Sequence, residues 1–360
     1  MKILVINPGS TTTKIAVFED KALVFELKID HAKDADFQAR FSKPGDIFEQ
    51  FDFRLCAISQ VLAQKGIEKL DAVVGRGGNM PNIESGTYAV NAKMMEVLRN
   101  HALAQHASNL GAELAWGLAE KFGAKQGAFV IDPVSSDEIE PRHKITGIPG
   151  ITRYAGWHAL NQKAVAREYA QSIGKRYEDL NLIVAHLGGG SSFGAHRHGR
   201  AINVINAVAG EGPMTPERSG AVPLQALVEL CFSKTKSKEE ILHLVTGGGG
   251  LYAHLGTKDL IELEKKYPSL DKEQKDVVDE MFAGISRAIC SLIPDFEGEK
   301  IEQIILTGGA ARWPLLVESI KKDLFALGIA VCVYPGEKEL EAMRDGALRI
   351  ISKEEKVKEY

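Results

Sequence analysis

Two segments of this chain carry the same succession of local features and start about half a chain length apart. The first, near residue 3, reads ILVINPGSTTTKIAVF, and the second, near residue 182, reads LIVAHLGGGSSFGAHRHGRAINV. Each has an apolar run, a turn rich in glycine, serine or threonine, and a second strand-like run. A chain of 360 residues is long enough for two domains. The repeat therefore predicts two similar halves, 1–178 and 179–360, and allows the C-terminal helix to pack back on the first.

Short apolar runs alternate with segments of helical periodicity along the whole sequence. The predicted strands are 3–6, 14–18, 72–74, 128–131, 182–185, 192–196, 301–306 and 329–334. Apolar residues recur at helical spacing over 110–122 and 277–289, and Ser237 with Glu240 forms a capping-box pattern before another helix. Alternating strands and helices favour an α/β fold in which helices cover the sheets.

Composition argues against several classes of protein. Lysine and arginine total 44 against 48 for aspartate and glutamate, so the formal charge of -4 gives no reason to expect nucleic-acid binding. No apolar run approaches the roughly 18 residues of a membrane span, and the first run is too short for a secretory signal. The four cysteines form no close pair. We therefore expect a cytoplasmic protein without a disulfide framework, a zinc site or a membrane partner.

The turn of each hairpin has the composition of a phosphate-binding loop. Ser10 and Thr12 supply side-chain donors in the first turn, and Lys14 adds a positive charge. The second turn follows His186 and reads Gly188-Gly189-Gly190. Such turns expose backbone N–H groups that can converge on an anion, although an ordinary hairpin turn has a similar composition.

A third glycine turn, Gly308-Gly309-Ala310, follows the predicted strand 301–306 and precedes a helix. Nucleotides often bind where a strand ends in glycines at the start of a helix. A single turn of this kind is equally compatible with a plain connection. Three of them at strand ends favour a nucleotide held in a cleft between the two halves.

Four polar residues stand where they could act on a phosphoryl group. Asp132 ends the strand 128–131 and is suited to Mg²⁺, and His158 at a helix start could donate to an oxyanion. Arg218 projects from a loop full of turn residues, as a transition-state clamp would, and Arg76 between glycines could bind a carboxylate. Ordinary roles in turns, helix caps or surface ion pairs stay open for all four.

Two further groups of titratable residues attract attention. Glu337, Glu339 and Glu341 open the last predicted helix, where carboxylates favour the positive end of the dipole and one of them could touch a metal. His196 and His198 lie two apart on a strand. With no third ligand nearby, we expect these two histidines to be surface residues.

In chain order, these motifs resemble those of the acetate and butyrate kinases, which belong to the superfamily of actin, sugar kinases and heat-shock ATPases. The pattern Asn7-x-Gly9-Ser10-x-Thr12-x-Lys14 is similar to the opening motif of that family. Further along the chain, similar segments follow the family's order: Arg153-Tyr154 through Trp157-His158 (RYGFHG), His186 to Gly190 (HLGNG), Met214 to Gly220 (MGTRSGD), Thr307-Gly308-Gly309 (adenosine loop), and Glu339-Leu340 with Arg344 (EEL…AR).

The resemblance implies a fold and a set of site residues. The fold is two duplicated actin-like, or ribonuclease H-like, domains with a nucleotide cleft between them, and the assembly a homodimer or larger. The implied cofactors are ATP/ADP and Mg²⁺. The implied roles are catalytic for Asp132, His158 and Arg218; metal-binding for Asn7, Asp132 and Glu339; carboxylate-binding for Arg76; and ATP-binding for Ser10, Thr12, Lys14, His186, Gly188, Gly189, Gly190, Asp259, Gly308, Gly309 and Ala310.

The short chain, Pro8 in the first loop and Gly189 in the second resemble the butyrate kinase branch. The implied reaction is butyrate + ATP = butyryl phosphate + ADP. Acetate, propionate and branched acids are alternative substrates, because a missing methylene is worth only about 1–3 kcal/mol of discrimination. A nucleotide-switched binding protein, like the actin and chaperone relatives, and a sugar kinase are alternatives of a different class.

Overall fold

The computed structural model describes residues 1–41 and 47–360, which form two compact units. Unit 1 comprises Met1–Asp137 and Lys338–Tyr360, and unit 2 comprises Glu138–Glu337. The boundary predicted at residue 178 follows the repeat. The compact units divide the chain between Asp137 and Glu138, and the C-terminal segment belongs to unit 1.

Unit 1 is built on a six-stranded mixed sheet in the order β3-β2-β1-β4-β6-β5. The first three strands form an antiparallel meander, and β4 and β6 continue the sheet in parallel with β1. Nearly every residue of β1 and β4 is buried, as in a sheet covered on both faces. The strands are β1 (Lys2–Pro8), β2 (Thr12–Glu19), β3 (Ala22–Asp30), β4 (Ala72–Arg76), β5 (Thr87–Ala89) and β6 (Ala128–Ile131).

Among the described residues of unit 1, four α-helices precede β6. The periodicity predicted from residue 110 forms a helix whose buried face includes Leu110, Leu114 and Leu118. These side chains pack in the same core as Leu4, Ile6 and Val73 of the sheet. The helices are α1 (Ala35–Phe41), α2 (Phe51–Gln64), α3 (Ala92–Asn100) and α4 (Leu110–Lys121).

Unit 2 repeats this connectivity on a five-stranded sheet in the order β11-β10-β7-β8-β9. Its first three strands form an antiparallel meander, and the last two run parallel to the first of them. The repeat in the sequence is therefore a repeat in the structure, and the predicted α/β fold is confirmed. The strands are β7 (Asn181–His186), β8 (Ser192–Arg197), β9 (Arg200–Ile205), β10 (Gln303–Gly308) and β11 (Val331–Pro335).

The helices of unit 2 include the two that the sequence marked most clearly. The longest buries Met281, Ile285 and Ile289, and the Ser237–Glu240 capping box is formed by reciprocal bonds of 2.6 and 3.2 Å. Over the described residues, no helix has the length and apolar character that a membrane crossing requires. The helices are α5 (Ala159–Ser172), α6 (Leu224–Phe232), α7 (Lys238–Thr246), α8 (Gly250–Leu255), α9 (Leu260–Lys266), α10 (Lys272–Ser291) and α11 (Pro314–Leu324).

The C-terminal segment completes unit 1. Helix α12 (Glu339–Ile351) buries Leu340, Met343 and Ala347. Beyond it, the backbone of Lys358 bonds to β5 at both Thr87 and Ala89, with distances of 2.8 and 3.0 Å. The last helix therefore sits on the sheet that carries the first loop, which brings Glu339 into that part of the molecule.

Strands β3, β5 and β9 were not predicted. Most side chains of β3 are exposed, so it lacks the apolar run that marks a buried strand. Strand β5 has only three residues. All three strands lie at sheet edges, where the sequence signal is weakest.

Candidate active site

The first loop, residues 8–12, is a tight turn with exposed donors. The Gly9 amide donates to the Thr12 carbonyl at 2.7 Å, and Ser10 is exposed. Asn7 and Lys14 are direct partners in the β1–β2 register, so their side chains share one face of the sheet. Lys14 is exposed, and its role in binding phosphate stays a prediction.

Arg54 of α2, which was not among the predicted site residues, holds this loop in place. Its fully buried guanidinium donates to the carbonyls of Ser10 and Thr12 at 2.8 and 2.9 Å and to Thr13 Oγ1 at 2.9 Å. Two further bonds reach Gln50 Oε1. These acceptors are neutral oxygens, and burial lowers the pKa of Arg54 to about 10. A positive charge therefore lies beneath the first loop.

His31 completes the same buried cluster. Its Nε2 lies 2.8 Å from Thr13 Oγ1, and its ring stacks on Phe37 with centroids 5.4 Å apart. Burial, and secondarily the charge of Arg54, lower the pKa of His31 to about 4. The ring is therefore neutral in the folded protein at neutral pH.

We expect unit 1 to lose stability as the pH falls from about 6.5 to about 4. In this window the unfolded chain binds a proton at His31 that the folded chain does not, so acid favours unfolding. Above the window both states are neutral at this ring, and below it both are protonated. Hydrogen exchange of the segment 12–30 at pH 7 and 5, corrected for intrinsic rates, measures the loss. His31→Gln should show a smaller loss, and an unchanged loss would contradict the assignment.

Glu339, the first residue of α12, is held by two of the predicted residues. Asn7 Nδ2 donates to one of its carboxylate oxygens at 2.7 Å, and Arg76 Nη2 lies 3.1 Å from the other. Arg76 is only 9% exposed, and its Nη1 has no hydrogen-bond partner among the described residues. Of the three glutamates near this helix start, Glu339 is thus the one beside Asn7, while Glu341 is exposed and Glu337 lies 3.4 Å from His186 in unit 2.

Asp132 follows β6, as predicted, and is almost fully buried. Its Oδ1 accepts from the Gly86 amide at 2.8 Å, and its own amide donates to the Gly86 carbonyl at 3.0 Å. Its φ of 40° is unusual for a residue with a side chain, so this double contact holds a strained backbone.

Unit 1 offers oxygen side chains of the kind that bind Mg²⁺, and their role as metal ligands stays a prediction. Mg²⁺ is usually held by one or two carboxylates together with substrate phosphates. In the part of the chain that the structure describes, no three His, Cys, Asp or Glu side chains form a complete metal cluster. Asp132, Glu339 and the amide oxygen of Asn7 are therefore candidate partial ligands.

In unit 2, the second loop encloses the guanidinium of Arg218. A Cβ at Gly190 would lie 2.4 Å from Arg218 Cζ, so only glycine allows this approach. Thr215 Oγ1 donates to the Gly189 carbonyl at 2.6 Å and ties the two loops together. Nε and Nη1 of Arg218 are buried without a partner among the described residues, and burial lowers the pKa of this arginine. These two unpaired cationic nitrogens make Arg218 a candidate for binding an anion.

His158 and His186 stand at the base of the same loop. Their rings stack in parallel, 3.7 Å apart and 5° from coplanar. His186 is buried and its Nδ1 lies 2.8 Å from Asn161 Oδ1. His158 occupies the N-cap position of α5, but its side chain makes no capping bond. The His158 ring therefore does not cap α5, although the sequence had left that role open.

The third loop adjoins the second. Gly308 has a φ of 89°, and a Cβ there would lie 2.2 Å from the Leu187 carbonyl, so the position requires glycine. The Ala310 amide donates to that same carbonyl at 3.0 Å. Gly309 is exposed. The loops at 188–190 and 308–310 therefore form one glycine-lined surface in unit 2.

Two further predictions have different outcomes. Asp259 is exposed and caps α9 by accepting from the amides of Ile261 and Glu262, and its contact with a nucleotide stays a prediction. The surface position predicted for His196 is wrong, because its ring is fully buried. Every residue of β8 before Arg197 is buried, so both faces of this strand are covered, while His198 at the following turn is exposed as expected.

The structure thus assembles two groups of predicted residues. Unit 1 brings together Asn7, Arg76 and Glu339, and unit 2 brings together the loop 188–190, Arg218, His158 and His186. That the first and second loops bind the same triphosphate stays a prediction, since they belong to different units.

Comparison with known proteins identifies similar chains. Residues 142–358, more than half of the chain, match the family model described as Acetokinase family. Among solved structures, acetate kinase from Porphyromonas gingivalis is 18% identical, with a TM-score of 0.78 over 97% of this chain and 99% of that one. A propionate kinase from Francisella tularensis subsp. tularensis SCHU S4 is 17% identical, with a TM-score of 0.75 over 96% and 98% of the two chains. At these identities, the structural matches show a shared fold.

Proposed function

Because this chain belongs to the acetokinase family, we propose that it transfers the terminal phosphoryl group of ATP to a short-chain carboxylate, with butyrate as the preferred acid. The observation that carries the proposal is Arg218. Its unpaired, buried N–H groups lie against a glycine loop, in the arrangement that a phosphoryl group in transfer requires.

The proposed chemistry needs no general base. The acid is ionised at neutral pH, so a carboxylate oxygen can attack the γ-phosphorus directly. The new P–O bond forms as the bond to the bridging oxygen of ADP breaks, and the electron pair leaves with ADP. No proton moves. The protein must therefore orient the reactants, neutralise charge and exclude water.

Unit 2 supplies the groups that act on the phosphoryl oxygens. Arg218 neutralises the charge that spreads over the equatorial oxygens, and the His158 ring donates to one of them. The loops at 188–190 and 308–310 offer backbone N–H groups to the remaining phosphates, with His186 supporting the first of these loops. A positive guanidinium and preorganised donors stabilise this charge without reorganising during transfer.

Unit 1 supplies groups for the metal, the acid and further phosphate contacts. Asn7, Asp132 and Glu339 would hold Mg²⁺, which neutralises phosphate charge when bound with ATP. Arg76 keeps Nη1 for the carboxylate of the acid while Nη2 binds Glu339. Ser10, Thr12 and Lys14 contribute donors and one positive charge from the first loop.

The preference for butyrate rests on the features that resemble that branch of the family, including Pro8 and Gly189. Gly189 lies close to Glu217, and a Cβ there would be 3.2 Å from Glu217 Oε1. A larger residue at 189 would therefore press on the neighbouring carboxylate. The proposal also includes the homodimer or larger assembly that the resemblance implies, which light scattering would detect.

A hydroxamate assay with butyrate, propionate, acetate and isobutyrate tests the proposed function. We expect ATP-dependent acyl phosphate formation with the largest kcat/KM for butyrate. Each methylene removed should cost roughly tenfold or more, because the smaller acid buries less apolar surface. The His158→Ala variant is the matched control for signal that does not arise at this site.

Other outcomes discriminate among the alternatives. A maximum with acetate or propionate would overturn the preference for butyrate and keep the carboxylate kinase. No acyl phosphate with any acid, together with acid-independent ATP hydrolysis, would favour a nucleotide-switched binding protein. Phosphorylation of glycerol or a hexose would favour a sugar kinase.

A further inference from the structure

Ser192 connects His158 to a buried chain of polar side chains. Ser192 opens β8 and is fully buried. Its Oγ lies 2.8 Å from His158 Nδ1, and it accepts from the His158 backbone amide at 3.2 Å. Gln162 Nε2 donates to the same Oγ at 2.8 Å. The Ser192 hydroxyl is therefore within hydrogen-bond distance of three nitrogens.

The backbone of Ser192 determines how the Gln162 amide is oriented. One hydrogen of Gln162 Nε2 points to the Ser192 carbonyl oxygen at 3.1 Å. That oxygen can only accept, so the atom facing it must be the amide nitrogen and not Oε1. Gln162 is consequently a donor on the side of Ser192 and an acceptor on its other side.

The remaining bonds of the chain follow from this orientation. Gln162 Oε1 lies 3.0 Å from His196 Nε2, so His196 must carry its hydrogen on Nε2. His196 Nδ1 then accepts from the Tyr177 hydroxyl at 2.6 Å. Burial, with the nearby charges of Lys163 and Arg167, lowers the pKa of His196 well below its usual value, which agrees with a neutral ring.

The hydroxyl of Ser192 has one hydrogen and two lone pairs. The amide of His158 and the side chain of Gln162 occupy both lone pairs, so the hydroxyl hydrogen is left for His158 Nδ1. We propose that Ser192 and Gln162 are positioning residues that hold His158 as the neutral tautomer with its hydrogen on Nε2. A hydrogen on Nδ1 would place a third donor against an oxygen that has no lone pair left.

The consequence for catalysis rests on the proposed function. A fixed hydrogen on Nε2 makes that nitrogen a donor to an oxygen of the phosphoryl group, whereas the other tautomer would present a lone pair to a negative oxygen. The parallel contact with His186 keeps the ring in one plane. Ser192 and Gln162 thus hold the hydrogen of His158 on Nε2, and the bonds from Gln162 to His196 and from His196 to Tyr177 extend the same buried chain.

The tautomer can be measured in the unmodified protein. Two-bond ¹H–¹⁵N spectra of protein labelled with ¹⁵N-histidine, recorded without nucleotide near pH 7.5, show which ring nitrogen carries the hydrogen. The His158 signals are those missing from His158→Ala. We expect a protonated Nε2 and an unprotonated Nδ1. A hydrogen on Nδ1, or on both nitrogens, would overturn the proposal whether or not the protein phosphorylates any acid.

A double-mutant cycle tests the catalytic consequence. Ser192→Ala should lower kcat by about tenfold to a hundredfold, with the KM for ATP and acid changed by less than about threefold. In the His158→Ala background, the same substitution should change kcat by less than about twofold, because its effect passes through that ring. Equal losses in both backgrounds would refute the positioning role.

A second buried serine provides the matched control. Ser286 on α10 is also buried, and its Oγ bonds to Asp323 at 2.8 Å. Ser286→Ala should leave kcat unchanged, so it separates loss of a buried hydroxyl from loss of this one. If Ser192→Ala does not fold, the tautomer measured in the unmodified protein still decides the question.

Discussion

Replacing Arg218 with alanine is expected to lower kcat by roughly 10²–10³-fold, the loss typical for one preorganised donor to a developing charge. Two buried nitrogens of Arg218, Nε and Nη1, have no partner among the described residues, so the folded protein leaves their N–H groups for an anion. Removing them should leave folding intact, because no described hydrogen bond depends on them. Steady-state kinetics with ATP and the best acid, together with the unfolding temperature, measure both effects.

Three variants sharpen this test. Arg218→Lys keeps the charge but loses the planar fork, so its kcat should lie between those of the native protein and Arg218→Ala. Gly190→Ala should imitate Arg218→Ala, because its Cβ would occupy the space of the guanidinium. Arg287→Ala removes an exposed arginine of the same unit and should have no effect on kcat. Normal turnover by Arg218→Ala would rule out its transition-state role.

Replacing Arg54 with methionine is expected to destabilise unit 1 by about 3 kcal/mol or more. Methionine fills much of the volume but leaves the carbonyls of Ser10 and Thr12 and the Gln50 side chain without their donor. Each buried polar group left unpaired costs about 1–3 kcal/mol. The first loop should loosen at the same time, so the KM for ATP should rise.

Hydrogen exchange of the segment 1–30 in native and variant protein measures the destabilisation. Arg40→Met on α1 removes an exposed arginine and should change stability by no more than about 0.5 kcal/mol. Arg54→Lys keeps a cation but not its several bonds, so it should fall between the two. Unchanged exchange in Arg54→Met would show that the loop is held without this guanidinium.

Much of the fold could be predicted because its signals are local. The capping box at Ser237 and the buried face of α4 depend on residues within a few positions of each other. The hairpin repeat likewise survives in the sequence as two apolar runs around a turn. The edge strand β3 was missed because most of its side chains are exposed, and β5 was missed because it has only three residues.

The loops of the site were predicted better than the buried side chains that hold the loops in place. Glycines at 190 and 308 are visible in the sequence, and the structure explains them by close contacts with Arg218 and Leu187. Arg54 could have been noticed, since it lies at i−4 and i−8 from the buried Ile58 and Leu62 on α2. A charged residue on an apolar helix face signals a buried bonding role. His196 was misplaced because both faces of β8 are buried, which two histidines spaced two apart on a strand do not reveal.

By itself, the sequence determined the α/β class, the duplicated hairpins and the glycine loops, because strand alternation and turn chemistry are properties of neighbouring residues. Only the tertiary structure decided which polar side chains meet. Asn7 and Glu339 are 332 positions apart, and Ser192 reaches His158 from a strand that is remote along the chain. Such contacts depend on the path of the whole backbone, so they leave no local trace in the sequence. A hydrogen bond also requires its donor and acceptor to lie within a few tenths of an ångström of the ideal distance.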